Sequence, residues 1–201
     1  MKQEIEKAIA ILKSGGVVVF PTDTAYGLAV DATNFSAVRK LYALKGRDFR
    51  KPIHIIFPSV EWLAANVVLD KKSLKLMNKF LPGPLTVIAK LKSKNKALNK
   101  IKGSTGIGLR FPKDQIALKL AQDLAKPITA TSANISGSAN TYSITEVKKQ
   151  FAKSKYKPDF YLDSGRLKKV KPSTIVSVVG NNARILREGP ISETEIKRAL
   201  K

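Results

Sequence analysis

The sequence predicts one α/β domain, a twisted open mixed sheet flanked by helices, and three observations carry that prediction. Short apolar runs alternate irregularly with stretches whose apolar residues recur at helical spacing. No period repeats along the 201 residues. No Pro-, Gly- or Ser-rich tract divides them, so a single domain over residues 1–201 is expected.

Taken in order, Ile5, Ala8, Ile9 and Leu12 mark an amphipathic helix that Gly15 and Gly16 close. Val17 to Phe20 reads as a buried strand that breaks at Pro21 into a hydroxyl-rich turn, Thr22-Asp23-Thr24. Asn34 or Thr33 caps a helix carrying Val38, Leu41 and Leu44, and a cationic cluster of Lys45, Arg47, Arg50 and Lys51 follows it. Residues 52–57 form a short strand, a helix starts at Ser59, and residues 72–80 form another that ends at the rigid turn Leu81-Pro82-Gly83-Pro84. Thr86 to Leu91 reads as a strand. Residues 90–104, with six lysines and little to bury, read as an exposed loop or hairpin tip. Gly106 to Phe111 is a strand thinned by two glycines; Ile116, Leu120 and Leu124 mark a helix, and 127–131 a strand. Ser143 with Glu146, and Ser192 with Glu195, have the spacing of capping boxes that open two helices. Strands at 159–162, 173–179 and 183–187 lie between them.

Composition excludes several chemistries. There is no cysteine, so disulfides, zinc ribbons and thiol catalysis are out. The single histidine, His54, leaves a serine hydrolase at Ser132 without a nearby base and argues against a histidine-rich metal site. No P-loop signature occurs, and Gly103 to Gly108 precedes a strand rather than a helix, so it is not a dinucleotide fingerprint. No apolar run reaches membrane-spanning length and the N-terminus lacks the apolar core of a signal peptide, so the chain reads as soluble, cytoplasmic and without a membrane partner. The 37 Lys and Arg against 15 Asp and Glu give a net +22, which favours salt-sensitive contact with RNA or DNA. A surface that is merely rich in lysine gives the same number.

Five strand ends terminate in polar or cationic groups: Thr22-Asp23-Thr24, Arg110, Thr131 to Asn134, Ser173-Thr174 and Arg187. Brought together, they make a crevice of hydroxyls, one amide and several cations without an obvious general base. Such a crevice suits positioning and charge neutralisation, as in phosphoryl or nucleotidyl transfer. Arg110, on an apolar strand, requires an anionic partner. Serines and threonines at strand ends are also ordinary turn formers, and Lys45 and Arg47 also suit the C-terminus of the helix before them.

Seven strings occur in one order: PTDTAYGL (21–28), KGRDFRKP (45–52), LPGPLT (81–86), GIGLRFP (106–112), TSANISG (131–137), STI (173–175) and LREGPI (186–191). With them the chain resembles the Sua5/YciO/YrdC family over residues 5 to about 200. The resemblance implies a YrdC-like fold with a concave basic face and threonylcarbamoyl-AMP synthase activity. L-threonine, bicarbonate and ATP would give threonylcarbamoyl-adenylate and pyrophosphate, and a transferase complex would then modify adenosine 37 of tRNAs that read ANN codons. It implies ATP as substrate, arriving with Mg2+, and no bound prosthetic group; no carboxylate cluster suggests a protein-held metal, and the positive charge adds an expected contact with tRNA.

Carried over residue by residue, the resemblance makes Thr24, Arg110, Ser132 and Ser173 threonine contacts, with Arg110 on the carboxylate. Lys45 and Arg47 become charge-neutralising catalytic residues. With Lys51 they form a triphosphate cluster, and Asn134, Thr141 and Arg187 become further nucleotide contacts. Some departures accompany the match. Asp23 stands where the family often has Glu. Some members have a histidine two residues beyond His54, where this chain has Ile56, so the role of His54 stays open. Longer members carry a second C-terminal domain that is not expected here. The rival readings are a family paralogue with another nucleotide-dependent activity and a non-catalytic protein that binds double-stranded RNA or tRNA.

Overall fold

The computed structural model describes residues 2–180 and 182–201. Helix α1 (Lys2–Lys13) buries Ile5, Ala8, Ile9 and Leu12 on one stripe. Strand β1 (Val18–Phe20) turns through residues 21–26 into β2 (Gly27–Ala29). Helix α2 (Phe35–Lys45) begins at Asn34, whose side chain accepts from the Ala37 N–H. Thr33 is not the cap; its hydroxyl donates to Asp31. The helix ends at Gly46, whose φ of 56° is the left-handed conformation glycine adopts without penalty. Strand β3 (His54–Ile56), α3 (Val60–Asn66, capped by Ser59), α4 (Lys71–Phe80, capped by Asp70) and β4 (Leu85–Ala89) follow. Then come α5 (Lys96–Ile101), β5 (Ile107–Arg110), α6 (Gln115–Leu124), β6 (Ile128–Ser132) and α7 (Ile144–Phe151). Strands β7 (Phe160–Tyr161), β8 (Thr174–Ser177) and β9 (Arg184–Arg187) and helix α8 (Glu193–Leu200) complete the chain.

The strands form one mixed sheet in the order β7-β1-β2-β6-β3-β5-β4-β8-β9. The β1/β7, β3/β5 and β4/β8 pairs are parallel and the other neighbours antiparallel. Because side chains alternate across a strand, this register decides which residues share a face. One face carries Val19, Leu28, Ile55, Leu109, Val87 and Val176 into the larger core, which includes Val38 and Leu41 of α2 and Val147 of α7. The other carries Val18, Phe20, Ala29, Ile56 and Ile128 beneath α1 and α6. Further along that second face the sheet is bare. Gly27 opposes Ser132, His54 opposes Ala130, and Arg110 opposes Thr86, which in turn opposes Ile175. The site lies on this bare, concave stretch. Among the described residues no helix is long and apolar enough to cross a membrane.

Three elements differ from the sequence reading. Residues 90–104 are not a plain loop: Asn95 caps α5, which buries Ala97, Leu98 and Ile101. Of the lysines that suggested a loop, Lys96 and Lys100 lie on its exposed side and the others flank it, while the three buried apolar residues fix the helix. Strand β2 had no signal beyond a run too short for periodicity; it exists because β1 and β6 both pair with it. At α7 only half of the capping box forms, because the Glu146 carboxylate accepts from the Tyr142 N–H instead of that of Ser143. Ser192 and Glu195 form the complete box.

Candidate active site

A cavity of about 350 Å³ opens on the bare sheet face. Its wall includes Thr22, Thr24, Arg47, His54, Arg110, Ser132, Ser173 and Arg187, so the five polar strand ends, His54 of β3 and the turn after α2 converge there. Among the described residues, three arginines and no carboxylate line this wall, and the cavity is set up for anions.

Each side chain is positioned by a local device. The Thr22 hydroxyl donates to the Ala25 carbonyl at 2.7 Å and accepts from the Thr24 and Ala25 N–H groups, which folds the turn and presents Thr24. Arg110 donates to Asp23 Oδ1 at 2.7 Å, the anionic partner its apolar strand required. This is a one-point pair: Arg110 Nε and Asp23 Oδ2 are buried with no protein partner. Burial holds the Arg110 guanidinium below its usual pKa range, and Asp23 opposes that shift. Arg47 donates to the Pro52 carbonyl at 2.9 Å, and its Nε is likewise buried and free of protein partners.

On the far wall, the Ser173 hydroxyl lies 2.8 Å from that of Thr86. Arg187 donates twice to the Ser173 carbonyl, at 3.0 and 2.8 Å, and once to its hydroxyl at 3.2 Å. Ser173 follows a strap, residues 163–172, that is tied to the hairpin through Tyr26. The Tyr26 hydroxyl donates to the Gly165 carbonyl at 2.8 Å and accepts from the Ser164 N–H at 2.9 Å.

Four candidate residues stand off the wall. Lys45 is buried, and its ammonium donates to the Ser132 carbonyl, to the Asn134 carbonyl at 2.8 Å and to Asn134 Oδ1 at 3.0 Å. Its three N–H groups are thereby occupied by the protein, so it pins the loop after β6 where a phosphate clamp was expected. Burial and then Arg47 lower its pKa to about 7. Asn134 also accepts from the Ser132 hydroxyl at 2.7 Å and donates to the Ser138 carbonyl, so its amide is turned into the loop. Thr141 donates to the Ala133 carbonyl at 2.9 Å and is buried behind the wall. Lys51 points outward, and its carbonyl accepts from the Tyr42 hydroxyl.

Sequence reasoning left out Thr86 as a support, and Asn140, which lines the cavity where Thr141 was expected. The alternation that places Thr86 opposite Arg110 was readable only with the strand register in hand. Among the described residues no group of three or more His, Cys, Asp or Glu is placed to hold a metal ion.

Comparison with known proteins settles the family. The sequence model for Sua5/YciO/YrdC, described as "Telomere recombination", matches residues 10–189. The chain belongs to this family. A relative in Methanocaldococcus jannaschii, provisionally named a threonylcarbamoyl-AMP synthase, is 35% identical over 201 residues, which is 98% of this chain and 93% of its own length. Among solved structures, Pyrococcus abyssi Sua5 complexed with L-threonine superposes with a TM-score of 0.90 at 30% identity, covering 100% of this chain and 58% of that one. E. coli YciO superposes with a TM-score of 0.81 at 25% identity, covering 94% of this chain and 91% of that one. The family's α/β fold is therefore the fold of this chain.

Proposed function

We propose that the chain is a threonylcarbamoyl-AMP synthase. The observation that carries the reading is the meeting of Arg47, Arg110 and Arg187 with the Thr24, Ser132 and Ser173 hydroxyls on one bare sheet face, in a chain similar to a threonine-bound Sua5. The threonine amine attacks the bicarbonate carbon and water leaves, giving the carbamate. A carbamate oxygen then attacks the α-phosphate of ATP, and pyrophosphate departs. Holding three reactants together removes much of the entropic barrier.

In this reading Arg110 takes the threonine carboxylate, while Thr24, Ser132 and Ser173 line its seat. Arg47 and Arg187 neutralise charge on the phosphates, and Lys51 meets the outer phosphates at the mouth. Lys45 and Asn134 act by holding the loop that presents Ser132, and Thr141 supports the nucleotide side through the same loop. ATP enters as its magnesium complex, with the metal carried by the phosphates. The product serves a downstream transferase that modifies tRNA, and the net +22 supports direct tRNA contact in the cytoplasm. The likeness to YciO supports one second reading, a paralogue that uses the same nucleotide site on another substrate.

The test is pyrophosphate release with L-threonine, bicarbonate and ATP, omitting each in turn. A requirement for all three supports the synthase. Release from ATP that ignores threonine supports the paralogue.

A further inference from the structure

The bare floor carries one group that the reaction above does not use. His54 stands on the middle strand of the cavity, on the same face as Arg110. Its ring lies against Gly108 of β5. A Cβ built on Gly108 would fall 2.3 Å from His54 Cδ2 and 2.9 Å from Cγ, so glycine is what lets the imidazole lie down on the neighbouring strand. Ala130, also small, faces it from β6. The ring is thus seated by small residues on both sides. Among the described residues its nitrogens make no hydrogen bond to the protein, and the ring is partly open to the cavity.

Beyond the Thr24 hydroxyl and the Asn140 amide, the wall around it has few uncommitted side-chain acceptors. Arginine has none to offer. The Ser132 hydroxyl is committed to Asn134, and the Ser173 hydroxyl already meets Thr86 and Arg187. An α-amino acid whose carboxylate sits on Arg110 also brings N–H donors, and these need a partner. Arg110 lies two residues beyond Gly108, about 7 Å along β5, close enough for a substrate on Arg110 to present its amine toward His54.

We infer that His54 is a substrate-binding residue whose imidazole accepts a hydrogen bond from the amino nitrogen of the bound amino acid, and from the N–H of the carbamate that forms from it. This rests on the synthase reading. Burial, and then Arg110, Arg187 and Arg47, lower the pKa of His54 to about 3, so the ring keeps its lone pair at neutral pH and holds the amine without taking its proton. His54 is accordingly a positioning contact and not the base of the reaction.

Calorimetric titration of L-threonine and of ATP tests this on the intact chain. We expect His54→Ala to raise the threonine Kd about tenfold, the scale of one lost hydrogen bond of this kind, with the ATP Kd within twofold of wild type. His54→Gln, whose amide oxygen accepts, should recover most of the loss. Gly108→Ala should weaken threonine binding by tilting the ring, and should add nothing in a His54→Ala background. A His54→Ala threonine Kd within twofold of wild type, or equal losses for threonine and ATP, would overturn the inference while leaving the synthase reading in place. A wild-type protein that binds ATP but no threonine would overturn both.

Discussion

Arg110 and Asp23 meet through one guanidinium nitrogen and one carboxylate oxygen, 2.7 Å apart, and each keeps a second buried atom without a partner. The pair is therefore half used. Asp23 offsets the cost of a buried guanidinium, and in the proposed reading the N–H groups that Asp23 does not engage serve the threonine carboxylate.

Two variants separate these duties. Arg110→Ala should weaken threonine binding by about 1.5–3 kcal/mol, the scale of a charged hydrogen bond, and should also destabilise the fold by leaving Asp23 unpaired. Asp23→Asn, which keeps an acceptor for Arg110, should cost less in both. Threonine calorimetry and denaturant melts read the two effects. Unchanged threonine affinity in Arg110→Ala would remove the carboxylate assignment.

Lys45 carries a prediction with a definite pH sign. Its folded pKa is about 7, well below the value of about 10.4 in an unfolded chain. Between these values the unfolded state binds more protons, so stability rises with pH across that window. Replacing the ammonium by an apolar chain removes the effect. The melting temperature of wild type relative to Lys45→Met should therefore shift in favour of wild type between pH 7 and 10. Lys45→Met should also impair turnover through the loop at Ser132.

His54 works in the same sense at lower pH. With a folded pKa of about 3 and an ordinary unfolded value near 6.5, its contribution is whole above pH 6.5 and is lost as pH falls toward 3. His54→Gln should be less sensitive to acid than wild type in thermal melts across that window. Parallel acid limbs for the two proteins would contradict the burial described above.

The helix α5 offers a stability test. Leu98 is 1% exposed, packed in the larger core, so Leu98→Ala should cost about 2–4 kcal/mol in denaturant unfolding. A residue in an exposed lysine-rich loop would cost less than about 0.5 kcal/mol.

Much of this is legible in the sequence, and the exceptions share a cause. Helices with a stripe and a cap, such as Asn34 to Lys45, announced themselves through local chemistry. Arg110 announced its need for an anion because a charge on an apolar strand demands one, although nothing local named Asp23 as the partner. Helix α5 was obscured because six lysines outweighed four apolar residues in the composition of residues 90–104, while burial follows three of the apolar ones. Lys45 and Asn134 read as ligand contacts, since a lysine beside an arginine looks like a phosphate clamp. Only the three-dimensional path of the loop after β6 turns them toward each other. Strand pairing likewise decided which residues joined His54 on the cavity floor, and register is a long-range property.

In the proposed reading one cavity joins threonine, bicarbonate and ATP. The most direct measurement is mass spectrometry of the adenylate formed from ATP, L-threonine and 13C-bicarbonate by the wild-type protein. The expected product is a threonylcarbamoyl-adenylate one mass unit heavier than with ordinary bicarbonate, accompanied by pyrophosphate. An adenylate that carries neither threonine nor the labelled carbon, or no adenylate at all with ATP bound, would contradict the reading.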